Sequence, residues 1–359
     1  MLRYILNKIA YALLTLFGVV TVIFFLFNVL PGDPAKMMLG QNQDAEQVLA
    51  VKKKYGFDKP IMTQYAYYLN DLSPLSVHSK TEDDYTSLSS GKYKYTPLFS
   101  IGNSSFVIKF PYLRESFTKQ GKKVSEVIGE TLPNTFVLAI SAIVIAIILG
   151  IVFGIISALY KNTWLDKVIQ ILSTLGMSVP SFFSAILFAW LFGFVLHEFT
   201  NLEMTGSLYE LDDFGEEMRI QWKNLILPAI VLGIRPLAVV IQLMRNSLLE
   251  VLNQDYIRTA RAKGLSEFQV IKNHAFKNAL NPVVTAISGW FASMLAGAVF
   301  VEYIFGWNGL GKEIVNALNT LDLPVIMGSV LVIAIVFITI NILVDVVYAW
   351  LDPKVKLYD

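Results

Sequence analysis

The stretch Gly306-Trp307-Asn308-Gly309-Leu310-Gly311-Lys312-Glu313 has the spacing of a phosphate-binding loop, two glycines and a lysine that would cradle a polyphosphate. Glu313, however, occupies the position that needs a hydroxyl for Mg²⁺, and an apolar run precedes the segment where a strand is required. A structural turn is the expected reading, with no cofactor bound here. No other catalytic pattern stands out, whether HExxH, a paired-carboxylate site or a Ser/His/Asp arrangement. His78, His197 and His274 fall in three different loops, too scattered for a metal site. Cysteine is absent, which removes thiolate nucleophiles and disulfides.

The elements carrying these residues are apolar. Of 359 residues, 55% are hydrophobic and only 16% charged, and the mean hydropathy is +0.55, which places the chain outside soluble composition and among membrane proteins. A formal net charge of +1 argues against nucleic acid as a partner. Residues 9–30 are long enough to cross about 30 Å of hydrocarbon. The run is too long for the core of a signal peptide, and no small-x-small cleavage site follows it, so an uncleaved first helix is expected over 1–30. Further spans are expected at 136–160, 168–196, 225–252, 283–305 and 325–350, six in all.

Residues 31–133 are polar and must lie outside the bilayer. Two amphipathic helices are expected over 44–68, and Lys92-Tyr93-Lys94-Tyr95 alternates like a short strand. The Ser-, Thr- and Tyr-rich part, 73–111, reads as an insertion into a membrane core that resumes at 134–352. Its simplest role is a solvated elaboration without separate activity.

Short-loop charges set the orientation. Basic residues number two in 1–8, two in 161–167, five in 253–282 and two in 352–359, whereas the opposite short loops hold only Arg219, Lys223 and Lys312. Both termini, the tail 353–359 included, are therefore expected to be cytoplasmic. Pro180, next to Ser181, and Pro236, next to Arg235, should kink or interrupt the third and fourth spans, and such breaks often line cavities. These four residues are the candidate substrate pathway. Arg235, the only charge near the middle of a span, should meet either substrate or a structural partner, since an unpaired intramembrane charge is costly. Gly150 and Gly154 have the spacing of a close-packing face. Glu302 and Asp345 sit near the ends of their spans, where anchoring or subunit contact is the expected role.

The densest basic cluster lies in the loop 253–282. Arg258, Arg261 and Lys263 alternate with the small residues Thr259, Ala260 and Ala262, which suits a short helix with one close-packing and one charged face. Gly264 permits a sharp turn or helix C-cap. Ser266 and Gln269 have capping-box spacing, starting a second helix from Glu267 to about Leu280.

This segment, "RTARAKGLS", resembles the cytoplasmic coupling motif of the peptide/nickel subfamily of binding-protein-dependent ABC importer permeases. Arg258 stands where the general motif has a glutamate, as is common in the peptide branch. "LPGDP" after the first helix and the terminal "LDPKVKL" are similar to the same subfamily. The resemblance implies an all-α integral membrane protein with six transmembrane helices in the type I ABC importer permease fold, located in the bacterial inner membrane. It further implies transport of oligopeptides or dipeptides, a second homologous permease subunit, two cytoplasmic ATPase subunits that use ATP and Mg, and an extracytoplasmic peptide-binding protein. Arg258, Thr259, Ala260, Arg261, Ala262, Lys263, Gly264 and Ser266 would then form the ATPase-coupling loop, its basic residues also within reach of membrane lipid phosphates. This chain would be a transport subunit and not itself an enzyme. Nickel import is the alternative within the subfamily. An ion-coupled secondary transporter would need a repeated half and further midplane charges, and neither is visible.

Overall fold

A computed structural model describes residues 2–29, 33–39, 44–82, 84–119, 121–211 and 217–351. Leu30, Pro31 and Gly32 of the first proline step, all of "LDPKVKL" except Leu351, and the side chain of Asp345 lie outside the described residues. The chain begins with α1 (Leu2–Val29), the short helices α2 (Pro34–Leu39), α3 (Ala45–Tyr55) and α4 (Ile61–Leu72), and the strands β1 (Leu75–Ser79), β2 (Tyr95–Ile101) and β3 (Ser104–Lys109). Next come α5 (Val124–Leu159), α6 (Trp164–Ser178), α7 (Ser181–Trp190), the single turn α8 (His197–Thr200) and the hairpin of β4 (Tyr209–Leu211) and β5 (Met218–Ile220). The remainder is helical: α9 (Lys223–Leu252), α10 (Asp255–Ala262), α11 (Glu267–Val270), α12 (Phe276–Ala279), α13 (Asn281–Phe305), α14 (Leu310–Asn319) and α15 (Leu323–Leu351).

Among the described residues, four helices are long and apolar enough to cross a membrane, or up to six candidate spans if each of two bent pairs counts as one. The third expected span is one of those pairs. Its halves, Trp164–Ser178 and Ser181–Val195, diverge by 113° at Val179-Pro180. Pro180 removes a backbone donor there and serves as the N-cap of α7. Of the two outcomes expected for the fourth span, a kink or an interruption, the interruption is absent: α9 runs helical through both Pro228 and Pro236.

Two compact units divide the chain. In Tyr11–Glu130 with Ile314–Ala334, Val20, Ile23 and Phe24 of α1 pack with Tyr68 of α4 and with Met327 and Leu331 of α15. The two helices expected over 44–68 are α3, capped by Asp44 and ended by Gly56 at φ +71°, and α4. The strand expected at Lys92 begins only at Tyr95. Lys92 and Tyr93 are drawn away by tertiary contacts, the ammonium donating to the Tyr85 carbonyl and the phenol to Asp71.

The three-stranded antiparallel sheet, in the order β1-β3-β2, is an addition to the all-α expectation and is turned against the usual rule. Ser76, His78, Ser105 and Lys109 are buried, while Leu75, Val77, Phe99, Ile101 and Ile108 are exposed. Buried polar groups survive because they are paired. His78 bonds Ser76 Oγ at 2.9 Å and the Thr86 carbonyl at 2.8 Å, and the Lys109 ammonium donates to the Asp71 carbonyl. The fully buried Asp71 carboxylate accepts from Tyr85 and Tyr93 at 2.8 Å and from Arg114 Nε at 2.9 Å.

In Thr131–Glu313 with Met1–Ala10 and Ile335–Asp359, α9 packs against α5, α6, α7 and α13. Gly150 and Gly154 face it as expected. A Cβ on either would come within 2.6 Å of Val240 or Met244, so α5 and α9 touch where only glycine fits.

Candidate functional site

The basic loop is built from two short helices folded onto the ends of longer ones. α10 follows α9 after a two-residue link, and its Ile257 and Ala260 are buried. They join Val270, Ala275 and Ala279 in a core shared with Met244 and Leu248 of α9, Ala158 of α5 and Val283 of α13. The loop is thus anchored to three long helices. Gly264 sits at φ +81° with nothing within 4 Å of an added Cβ, so the backbone conformation, and not space, selects glycine. Beyond it the expected capping box is formed. Gln269 N–H donates to Ser266 Oγ at 3.4 Å, and Ser266 N–H to Gln269 Oε1 at 3.1 Å. The following helix continues through a π-turn at Ile271–Ala275 into α12.

The small and basic residues part company here. Ala260 faces inward, whereas Thr259 and Ala262 are exposed together with Arg258, Arg261 and Lys263. Arg261 already spans the Gly264 turn, donating to both Glu267 oxygens at 2.8 and 3.2 Å. Arg258 makes a longer contact, 3.4 Å, with Asp255. Phe268 projects 71% exposed beside this cluster. Such a surface, an apolar ring amid cations on a rigid base, suits docking to another protein.

Arg235, Pro236, Pro180 and Ser181 lie on neighbouring segments. Gly176, two residues before the end of α6, packs against Ile234 and Ala238 of α9, so the break after α6 and the Arg235-Pro236 turn share a region. Pro236 is buried, Ser181 half-buried, and Pro180 and Arg235 exposed. Among the described residues, Arg235 has no hydrogen-bond or ion-pair partner within the chain.

Glu302 is not a solvated anchor. It is fully buried, and the glycine-rich turn wraps around it. Oε2 accepts from Gly311 N–H at 2.6 Å and Lys312 N–H at 3.3 Å. Cβ atoms on Gly309 and Gly311 would lie 2.4 Å from the carboxylate and from Val299 Cα respectively. Lys312 is engaged by Gly306 O and Asn308 Oδ1 at 2.9 and 2.8 Å. The phosphate-loop spacing therefore encodes a cradle for the chain's own carboxylate, in line with the expected structural turn.

The family described as "Binding-protein-dependent transport system inner membrane component" matches residues 150–357, and the corresponding N-terminal family matches residues 1–87. The chain belongs to this permease family. It is a multi-pass inner-membrane transport component, not an enzyme. It is 32% identical to the dipeptide transport system permease protein DppB of Alkalihalophilus pseudofirmus, covering 99% of this chain and 100% of the relative. A putative peptide transport system permease protein of Brucella abortus is 35% identical over 100% of both chains, and the glutathione transport system permease protein GsiC of Salmonella choleraesuis is 31% identical over 99% of both. An inward-facing methionine ABC transporter structure aligns with 62% of this chain and 95% of its own at 13% identity and a TM-score of 0.48.

One polar cluster of the permease core had no sequence signal beyond an acid in a helix first turn. Asp166 is buried at the start of α6 and accepts from Ser157 Oγ at 2.5 Å, Asn162 N–H at 2.9 Å, and Arg245 Nε and Nη2 of α9 at 2.8 and 2.7 Å. Arg245 lies one turn before Leu248, which packs in the core beneath the basic loop.

Proposed function

We propose that this permease is the transmembrane subunit of an ATP-driven importer of oligopeptides or dipeptides. The observation that carries the substrate class is identity of 31–35% to dipeptide, peptide and glutathione permeases along essentially the whole chain. Both termini and the loop 253–282 face the cytoplasm, a reading supported by the basic bias of the short loops on that side. The chain pairs with a second homologous permease subunit in a six-span type I arrangement. Two cytoplasmic ATPase subunits supply ATP hydrolysis with Mg, and an extracytoplasmic binding protein delivers the peptide.

Mechanistically, α10 and the helix from Glu267 to Ala279 sit in a groove of an ATPase subunit. Arg258, Arg261, Ala262, Lys263 and Phe268 face the ATPase, Thr259 permits close approach, and Gly264 and Ser266 fix the angle between the two helices. Closure of the ATPase pair displaces this loop, and its shared core with α5, α9 and α13 carries the displacement into the spans. Arg235, Pro236, Pro180 and Ser181 border the pathway that opens on alternate sides.

The test is purification of the tagged protein in gentle detergent, identification of co-purifying proteins, and assay of ATP hydrolysis after reconstitution with and without peptide. A second permease, ATPase subunits and peptide-stimulated hydrolysis are expected. A stable protein free of ATPases, with uptake driven by a proton gradient, would replace this reading with a secondary carrier; stimulation by nickel and not by peptide would shift the substrate.

A further inference from the structure

The unit containing Tyr11–Glu130 holds a concavity that the transport mechanism leaves unused. Lys54, Lys92, Arg114 and Glu115 line it together with the rings of Tyr55 and Phe117. Arg114 is committed. Its Nε is paired with the buried Asp71 at 2.9 Å, and its guanidinium lies 5.2 and 5.6 Å from the Tyr68 and Tyr85 ring centres. It also holds a backbone φ of +69°, in the left-handed region that side-chain-bearing residues enter at a cost of about 1–2 kcal/mol. Strain of this kind gathers where a side chain must be aimed at a site.

None of the other three charges is in an ion pair among the described residues, although the Asp71 and Glu115 charges attract Lys92 from a distance. Lys92 is half-buried, with its ammonium 3.2 Å from the Tyr85 carbonyl and 4.3 Å from that ring's centre. No carboxylate pairs with it among the described residues, and burial pulls it below its ordinary range. Lys54 lies over the Tyr55 ring, 5.4 Å from its centre, and has no ion pair among the described residues. Glu115 is half-buried and has no side-chain hydrogen bond or ion pair among the described residues. Two ammoniums and one carboxylate, none of them in an ion pair among the described residues, thus share a pocket with aromatic walls.

That combination selects a ligand class. A phosphate dianion would meet the unpaired Glu115, and a simple cation would meet two lysines; a molecule carrying both an ammonium and a carboxylate satisfies all three. The cavity, of about 140 Å³, is many times the ~10–15 Å³ that a single water needs on the same measure, so it admits a small organic molecule. We propose that this pocket binds a small zwitterion, a free amino acid or the two ends of a dipeptide. The carboxylate lies on Lys92 and Lys54, the ammonium on Glu115, and an apolar side chain against Tyr55 and Phe117. Only the choice of peptide as probe rests on the importer reading.

The experiment is isothermal titration of the full chain in lipid nanodiscs, without binding protein, with alanyl-phenylalanine, its C-terminal amide, its N-acetyl derivative, and phenylalanine. Saturable binding of the unmodified dipeptide or of phenylalanine is expected, the two arms distinguishing the source of the zwitterion. Lys92→Met and amidation should each weaken it about tenfold or more. In Glu115→Gln, acetylation should no longer matter. Absence of saturable binding to the wild-type chain, or affinity unchanged in Lys92→Met and Glu115→Gln, overturns the proposal. Should Lys92→Met fail to fold, Glu115→Gln with the acetylated probe decides alone. Peptide-stimulated ATP hydrolysis in the assembled complex without pocket binding would remove this site and leave the importer reading intact; the converse would do the opposite.

Discussion

Lys109 shows what burying the polar side of a sheet does to a single residue. Desolvation pulls its ammonium down from an ordinary 10.5 to about 8, against the opposing pull of the Asp71 charge. Between those pH values the folded chain has released a proton that the unfolded chain still binds, so stability rises with pH across that window and is lost as pH falls through about 8. The thermal midpoint should therefore climb more from pH 7.5 to 10 in the wild type than in Lys109→Met; equal slopes would remove Lys109 as the cause. Asp166 and Arg245 pose a different residue-level question, because both are largely buried and each is the other's partner. Removing one partner of a buried pair costs on the order of 3–5 kcal/mol, most of it the penalty for stranding the other charge. Arg245→Met and Asp166→Asn should each lower the thermal midpoint substantially, and the double substitution should lose much less than the sum. Additive losses would mean that the two act independently, whatever their 2.7 Å separation suggests.

At the scale of elements, what was legible in the sequence was what is local. Ser266-x-x-Gln269 and Gly264 specify their turn through nearest-neighbour geometry, and both formed as read. Pro180 broke its span for the same reason. Pro236 leaves α9 uninterrupted, which the same rule allows, since an interior proline either kinks a helix or breaks it. The sheet was illegible for a reason that is not local. Alternation of Leu75 and Val77 with Ser76 and His78 normally turns the apolar set inward, but Ser76 and His78 bond each other, the Thr86 carbonyl pairs with His78, and Lys109, 38 residues from Asp71, reaches that residue's carbonyl, so the polar set is satisfied while buried. Position near the end of a span suggests anchoring or subunit contact for Glu302, and only the fold of the turn after α13 puts it instead inside a cradle of backbone donors. The local rules do yield a sharp expectation for Gly264. Alanine there meets no neighbour and must only hold φ near +81°, a cost of about 1 kcal/mol, so Gly264→Ala should retain most uptake. Gly264→Pro cannot adopt that φ; it should abolish uptake while membrane insertion, read by protease protection of the termini, stays normal. Normal uptake by Gly264→Pro would sink the docking role of this loop.

For the whole molecule, the question is why a helix of membrane length carries a charge in its interior. Arg235 lies 12 residues after Lys223 and 17 before Leu252 in α9, about 18 and 26 Å along the axis at 1.5 Å per residue, so neither end is within easy reach of its side chain. An arginine at the centre of a span costs at least about 2.5–3.5 kcal/mol when it faces lipid. Its exposure, without a partner among the described residues of this chain, argues that the permease alone is an incomplete object at this position. Either a second permease subunit covers it, or it faces a hydrated pathway beside the break at Pro180. These alternatives separate in one experiment on Arg235→Ala: the yield of co-purified permease partner, and peptide uptake per assembled complex. Loss of partner with Arg235→Lys restoring it identifies a subunit contact made through charge. Intact assembly with uptake reduced tenfold or more identifies the pathway, because an alanine there removes an exposed charge of α9 that has no partner among the described residues, and leaves the largely buried Arg245–Asp166 pair in place. Wild-type assembly and wild-type uptake together would exclude both, leaving the arginine to be tolerated by reaching the lipid headgroups, which the distances along α9 make the least favourable of the three.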